Sequence, residues 1–317
     1  MGAVAVFAPS GFPPTRSERM ARLYDMAGRV ATTDANVLLT GETGSGKRAL
    51  ARAIHDASPR SAGPFVTITC ANLPAELLES ELFGHEKGAF TGAHEARRGR
   101  FEQAHGGTIL IDGVNELAPS LQGKLLRVVQ ERSFERLAGT RTIDVDVRLI
   151  TSTRADLESE VAAGRFRGDL FYRLNVVRLD VPPLRDRLED LPALAAETIT
   201  AIAVRQGRPD PGLAPEAIEL LTRHDWPGNL RELRNVLEAA CIATPGDTIP
   251  ASALNFGSPA AHPVGEALRN MMSLSQLEER YIREVLRRTQ GRRTEAARIL
   301  GINRKTLLEK RKRYGIP

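Results

Sequence analysis

Asn36 to Thr40 is a short apolar run that leads straight into Gly41-Glu42-Thr43-Gly44-Ser45-Gly46-Lys47, and an alanine-rich helical pattern follows from Lys47 to about Ala57. A strand, a glycine loop and a helix in that order leave few folds open. Glycines let backbone N–H groups converge, the positive helix end favours an anion, and Lys47 can reach the outer phosphates of a nucleotide. Further short apolar runs, Phe65 to Thr69, Thr108 to Asp112, Val147 to Ser152 and Val176 to Val181, alternate with helical patterns. That alternation predicts an α/β unit with a mostly parallel sheet covered on both faces. Pro182-Pro183 closes the unit because proline cannot continue the ladder. Leu191 to Val204, Pro215 to His224 and Asn229 to Ala240 then read as three helices with no strand between them, a small lid.

Charge is distributed unevenly. From Arg280 to Pro317 there are thirteen Lys and Arg against Glu284, Glu295 and Glu309, a net of +10 that leaves −5 for the rest of a chain whose total is +5. So compact a basic module favours a polyanion such as double-stranded DNA. Its pattern agrees. Ser275 and Glu278 offer a capping box ahead of Leu277, Tyr281, Ile282, Val285 and Leu286 at helical spacing; Thr294 can cap a second helix carrying Ala296, Ala297, Ile299 and Leu300. Gly301 supplies a turn and Asn303 can cap a third helix to about Tyr314, completing a helix-turn-helix. With Leu307 and Leu308 inward, Asn303, Arg304, Lys305, Thr306, Lys310 and Arg311 point outward as a recognition face for the major groove. One such motif reads a half-site, so a dimer or larger assembly is expected on DNA.

The remaining composition is that of a globular protein. No apolar run approaches the roughly 20 residues of a membrane helix, and residues 1–14 lack a basic region ahead of an apolar stretch, so a cytoplasmic location is expected. Cys70 and Cys241 have neither disulfide nor metal spacing and read as buried small hydrophobes. The six histidines show no paired spacing, and no structural zinc is expected.

Between the glycine loop and Asp112 lies Gly88-Ala89-Phe90-Thr91-Gly92-Ala93, a small-residue loop whose glycines can present Phe90 and Thr91 on a mobile tip. This string, with the loop at Gly41 to Lys47 and the basic module, resembles the signature of the bacterial enhancer-binding proteins, the AAA+ activators of sigma-54 RNA polymerase. The stretch Thr294 to Ile316 is similar to the Fis-type module that ends most of them. The resemblance implies ATP as cofactor, held by Gly41 to Lys47 and Arg48, with Arg231 of the Trp226-Pro227-Gly228-Asn229-Leu230-Arg231 lid motif as second sensor. It implies Mg²⁺ held by Asp112 directly or through water, Thr153 as first sensor, and Arg167 and Arg173 as arginines reaching a neighbouring subunit's nucleotide in a ring, commonly a hexamer. In that family the Gly88 to Ala93 loop touches the sigma factor.

The pattern is broken at one place. The family nearly always has glutamate after the aspartate, where this chain has Gly113; Thr69 stands for the usual asparagine, Arg48 for the usual glutamate and Arg154 for the polar partner beside Thr153. A missing base costs roughly 10²–10⁴ in rate. Two outcomes follow: weak hydrolysis in a subunit of a mixed ring whose partner supplies the glutamate, or turnover through a rearranged site in which Glu116 is a candidate. A regulator that binds nucleotide and DNA without productive turnover is the alternative function, and a replication or recombination motor ranks below it because the hexapeptide is not expected there. The expected organisation is a short segment over 1–35 with a helix near Ser17 to Ala31, an α/β subdomain over 36–181, a helical lid over 182–243, a linker over 244–268 and the helix-turn-helix domain over 269–317. No sensory domain fits before Asn36, so control is expected from a trans-acting protein, expression level or a ligand.

Overall fold

The computed structural model describes residues 14–71, 73–256, 273–289 and 292–316. The chain divides into two compact units, one ending at Leu254 and one beginning at Asn255.

In the first unit β1 (Val37–Thr40), β2 (Phe65–Thr69), β3 (Thr108–Asp112), β4 (Arg148–Thr153) and β5 (Val177–Asp180) form one sheet in the order β2-β3-β4-β1-β5, every pair parallel. The apolar runs of the central strands alternate between two cores, as the period of two requires. Leu38, Ile68, Ile109, Ile111 and Leu149 pack with the helices Ala75–Phe83, Pro119–Glu131 and Gly168–Leu174 on one face. Val37, Leu39, Leu110, Ile150 and Leu179 pack on the other against Glu18–Ala31 and Lys47–Asp56. Each fully buried aliphatic side chain contributes about 1.5–3 kcal/mol, which locks strand register against a one-residue slip. Buried Arg148 donates to Ala31 O at 2.9 Å and Val30 O at 2.8 Å, closing the end of the first helix where its carbonyls lack partners.

The lid consists of the helices Leu191–Gln206, Pro215–Arg223 and Asn229–Ala243. The stretch read as a linker from 244 begins inside the lid, because Thr248–Ile249 pairs parallel with Gly212–Leu213 and Ile249 is buried. Two-residue pairings carry no periodicity in sequence. The part of that stretch from 257 onward lies outside the described residues.

The second unit holds the helices Leu274–Arg288, Arg293–Ile299 and Arg304–Arg313 around Ile282, Val285, Leu286, Ala296, Ala297, Leu307 and Ile316. Three details depart from expectation. The capping box is formed by Ser273 and Gln276, not by Ser275 and Glu278: Ser273 N–H donates to Gln276 Oε1 at 2.8 Å and Gln276 N–H to Ser273 Oγ at 3.4 Å. Thr294 lies inside the second helix, whose N-cap is Arg292. Leu308 is 43 % exposed, because the single buried position on the last helix is taken by Leu307.

Candidate nucleotide site and its attached surfaces

Parallel pairing brings the ends of four strands together. Thr40 is in register with Thr153, Thr69 with Asp112, and Asp112 with Ser152, so the glycine loop leaves the sheet beside the other predicted site residues. Ligands of open parallel sheets bind at this carboxyl edge.

Gly41, Gly44 and Gly46 all have positive φ, at 143°, 79° and 109°, and the ten-residue helix Lys47–Asp56 starts directly after them. Lys47 Nζ donates to Gly41 O at 2.7 Å and Glu42 O at 2.8 Å. Burial lowers its pKa; the charges of Asp112, Arg231, Arg154 and Glu42 also act on it, so four predicted or altered positions converge on one ammonium. Ser45 Oγ is buried without a hydrogen-bond partner among the described residues. A half-buried ammonium, an orphaned hydroxyl and a helix N-terminus fit a bound phosphate chain.

The lid clasps this loop. A Cβ on Gly44 would lie 2.4 Å from Gly228 O and 3.2 Å from Arg231 Cβ, and Leu230 N–H donates to Gly44 O at 3.0 Å. Asn229, at φ +53°, donates through Nδ2 to Glu42 Oε2 at 3.0 Å and Thr43 O at 3.2 Å while its side-chain Oδ1 accepts Leu184 N–H at 2.7 Å. Arg185 pairs with both oxygens of Glu42 at 2.9 and 2.6 Å and holds that carboxyl below its usual range. Glu42 therefore faces the lid, while Thr43 is exposed. Arg187, which sequence reasoning missed, is buried with Nη2 on Ser45 O at 2.6 Å. Its neighbour Asp190 accepts from Thr15 Oγ1 at 2.7 Å and Arg16 N–H at 2.6 Å, attaching the entering segment to the same corner.

At the strand ends Asp112 accepts from the Ser152 hydroxyl. Thr153 Oγ1 donates to Asn115 Oδ1 at 2.9 Å and accepts Ala155 N–H at 3.0 Å; Asn115 was invisible in the sequence because a three-residue 3₁₀ turn folds it back. Asp112 thus ends its strand at the same carboxyl edge as the glycine loop. Arg48, at the helix position after Lys47, is exposed and donates to Thr67 Oγ1 at 3.1 Å, so it brings charge but no oxygen ligand. Arg167 pairs with Asp169 through Nε at 3.1 Å and Nη2 at 2.8 Å, whereas Arg173 is exposed and has no ion pair among the described residues. Within the subunit neither is brought into hydrogen bonding with the loop.

The hexapeptide forms a closed turn: Gly88 N–H donates to Ala93 O at 2.8 Å and Ala93 N–H to Phe90 O at 3.0 Å. Gly88 and Gly92 have φ of 85° and 103° with open space on their Cβ sides. Thr91 and Gly92 are exposed, Ala89 half-buried and Ala93 buried. Phe90 is 39 % exposed with its ring edge-on to His85, centroids 5.0 Å apart. At the base, Gly84–His85 pairs with Arg97–Arg98, and Arg136 bridges Glu86 at 3.0 Å and Glu102 at 2.7 Å.

On the last helix of the second unit Asn303 Oδ1 accepts Thr306 N–H at 2.8 Å, and Asn303, Arg304 and Lys305 are exposed. Lys310 is not outward as predicted. It pairs with Glu278 at 2.5 Å, and Tyr314 OH donates to the same carboxylate at 2.6 Å. Arg311 is half-buried, while Lys312 and Arg313, omitted from the predicted face, are exposed.

A parallel P-loop sheet whose lid motif lies on the loop, together with a separate helix-turn-helix unit, defines an AAA+ regulator of transcription. The sequence model of the sigma-54 interaction domain matches residues 14–180, that of the AAA+ ATPase lid domain 185–269, and that of the Fis family of bacterial regulatory proteins 273–314. The chain belongs to the sigma-54-dependent enhancer-binding regulators. It is 46 % identical to the regulatory protein AtoC of Escherichia coli over 312 residues, 95 % of this chain and 67 % of that one. It is 47 % identical to the transcriptional regulatory protein ZraR of the same organism over 296 residues, 93 % and 67 % of the two chains. Crystal structures of NtrX from Brucella abortus with ADP and with ATP both superpose with TM-score 0.70; identities are 36 % and 37 %, covering 95 % and 97 % of this chain and 69 % and 70 % of NtrX. Among the described residues no helix is long and apolar enough to cross a membrane.

Proposed function

We propose that this regulator binds ATP with Mg²⁺ at the Gly41 to Lys47 loop, binds double-stranded enhancer DNA through its last helix, and drives open-complex formation by pressing the Gly88 to Ala93 turn against sigma-54 RNA polymerase. The observation that carries this reading is an exposed Thr91 tip on the same folded unit as a P-loop clasped by its lid. Lys47 and the loop N–H groups would hold the phosphates, Asp112 the metal, and Thr153 the geometry near the outer phosphate. The ATP and ADP complexes of NtrX support the choice of nucleotide. Arg173, exposed and unpaired among the described residues, suits a role in trans, and Arg167 would have to leave Asp169 to join it; both roles require self-association into a ring, as homomer or mixed with a homologous activator.

Gly113 has no side chain to deprotonate water, so turnover depends on a carboxylate from elsewhere in the chain or from a partner subunit. That same glycine favours a second reading, a regulator that binds nucleotide and DNA without productive hydrolysis. Thr91→Ala separates the two. In the first reading it abolishes promoter opening by sigma-54 polymerase while enhancer and ATP binding persist; opening at the wild-type rate by this variant rejects the polymerase-contact role.

A further inference from the structure

The carboxylate of Glu116 stands beside the space that residue 113 leaves open. Gly113 turns the chain out of β3 with φ +84°, and the 3₁₀ turn Val114–Glu116 folds back so that Glu116 N–H donates to Gly113 O at 2.9 Å. A Cβ on Gly113 would meet Glu116 Cδ at 3.8 Å, Glu116 Oε1 at 3.9 Å and Cys70 Cβ at 4.0 Å. A carboxylate carried by residue 113 would extend about two bond lengths from that point, into the region Glu116 already occupies.

The other polar groups of this turn are committed. Asp112 is bound to the Ser152 hydroxyl and is the carboxylate that the proposed function gives to the metal, and Asn115 is neutral and occupied by Thr153. Among the described residues Glu116 has one ion pair, to Arg154 Nη2 at 3.5 Å, with side chains 29 % and 65 % exposed. So loose a pair aims the carboxylate without neutralising it. Arg154 in turn is among the charges acting on Lys47, which ties the pair to the phosphate loop.

We propose that Glu116 is the general base for ATP hydrolysis in this chain, with Arg154 as the residue that positions it. The water oxygen attacks the γ-phosphorus and the bond to the β,γ-bridging oxygen breaks with its electron pair leaving on ADP. The water proton passes to a Glu116 carboxylate oxygen and from there to solvent. This inference rests on the nucleotide-binding reading above and answers which carboxylate the chain itself supplies.

The test uses the full chain with enhancer duplex and saturating ATP and Mg²⁺, and measures kcat, KM, thermal unfolding and the affinity of a fluorescent ATP analogue. Glu116→Gln keeps the shape and is expected to lower kcat by about 10²-fold or more while KM, analogue affinity and unfolding temperature hold. Gly113→Glu added to Glu116→Gln restores kcat at least about tenfold, since it returns a carboxylate to the same space. Arg154→Lys retains more turnover than Arg154→Ala. Wild-type kcat in Glu116→Gln overturns the proposal, and so does a wild-type protein that binds the analogue yet turns over ATP only when a homologous subunit is added. Failure of the wild type to bind the analogue at all would instead remove the nucleotide reading on which both proposals stand.

Discussion

Gly44 shows how one absent atom joins two subdomains. Its φ of 79° and the 2.4 Å gap between a Cβ there and Gly228 O allow the lid backbone to rest on the phosphate loop. Gly44→Ala should destabilise the first unit by about 3 kcal/mol, combining left-handed backbone strain with overpacking, and weaken ATP binding. Chemical denaturation beside analogue titration checks this; wild-type values in both would mean that the lid does not rest on the loop in solution. At Gly113 the balance differs. A Cβ there meets nothing closer than 3.8 Å, so the backbone pays only for the positive φ, about 1–2 kcal/mol; the longer side chain of Gly113→Glu reaches the Glu116 carboxylate, which is why that change is paired with Glu116→Gln. The sequence identifies both glycines, but only the fold distinguishes the one that must be bare from the one that merely is. It likewise reveals Arg187 and Asn115, whose partners Ser45 and Thr153 lie 142 and 38 residues away.

The hexapeptide hairpin depends on a clamp outside itself. Arg136, 19 % exposed, holds Glu102, 11 % exposed, with two hydrogen bonds of 2.9 and 2.7 Å and reaches Glu86 in the segment leading to the turn. Burial raises the Glu102 pKa, but Arg136 and the Gly99 N–H outweigh it and the net direction is down. A carboxyl lowered on folding stabilises above its unfolded pKa of about 4.3, and that contribution is lost as pH falls through the folded value. Arg136→Ala is therefore expected to cost about 3 kcal/mol at neutral pH. The gap to wild type should narrow in unfolding curves taken below about pH 4, and a pH-independent gap would show that the pair is not its source. In the second unit Asn303→Ala removes the one side-chain cap of the last helix and should cost about 1 kcal/mol by thermal unfolding of that unit, with Asn303→Asp close to wild type. The strand and helix patterns were legible because each long element has a continuous apolar face. Caps shifted, Ser273 for Ser275 and Arg292 for Thr294, because several polar residues near a helix start can serve and packing selects among them.

Taken whole, the chain joins an ATPase-type unit near charge balance to a basic unit carrying +10 over Arg280 to Pro317. Enhancer affinity should fall steeply with salt, and replacing exposed Arg304 and Lys305 together by alanine should reduce the slope of log K against log salt by about 2. Lys310→Ala should act differently, lowering helical stability through Glu278 more than the salt slope; equal slopes for both variants would place Lys310 on DNA after all. Local chemistry in the sequence was enough to place the P-loop, the five-strand alternation, the lid helices, the small-residue hexapeptide and the basic helix-turn-helix, since glycine spacing, apolar period and charge are properties of neighbouring residues; the lid motif came from the family resemblance. Long-range packing decided the rest: the Glu42 carboxylate on Arg185 and Asn229, Lys310 on Glu278, and Arg148 under a helix end. Those outcomes depend on which partners the parallel sheet and the packed helices bring within about 3 Å, a distance that hydrogen bonding requires and sequence separation does not encode.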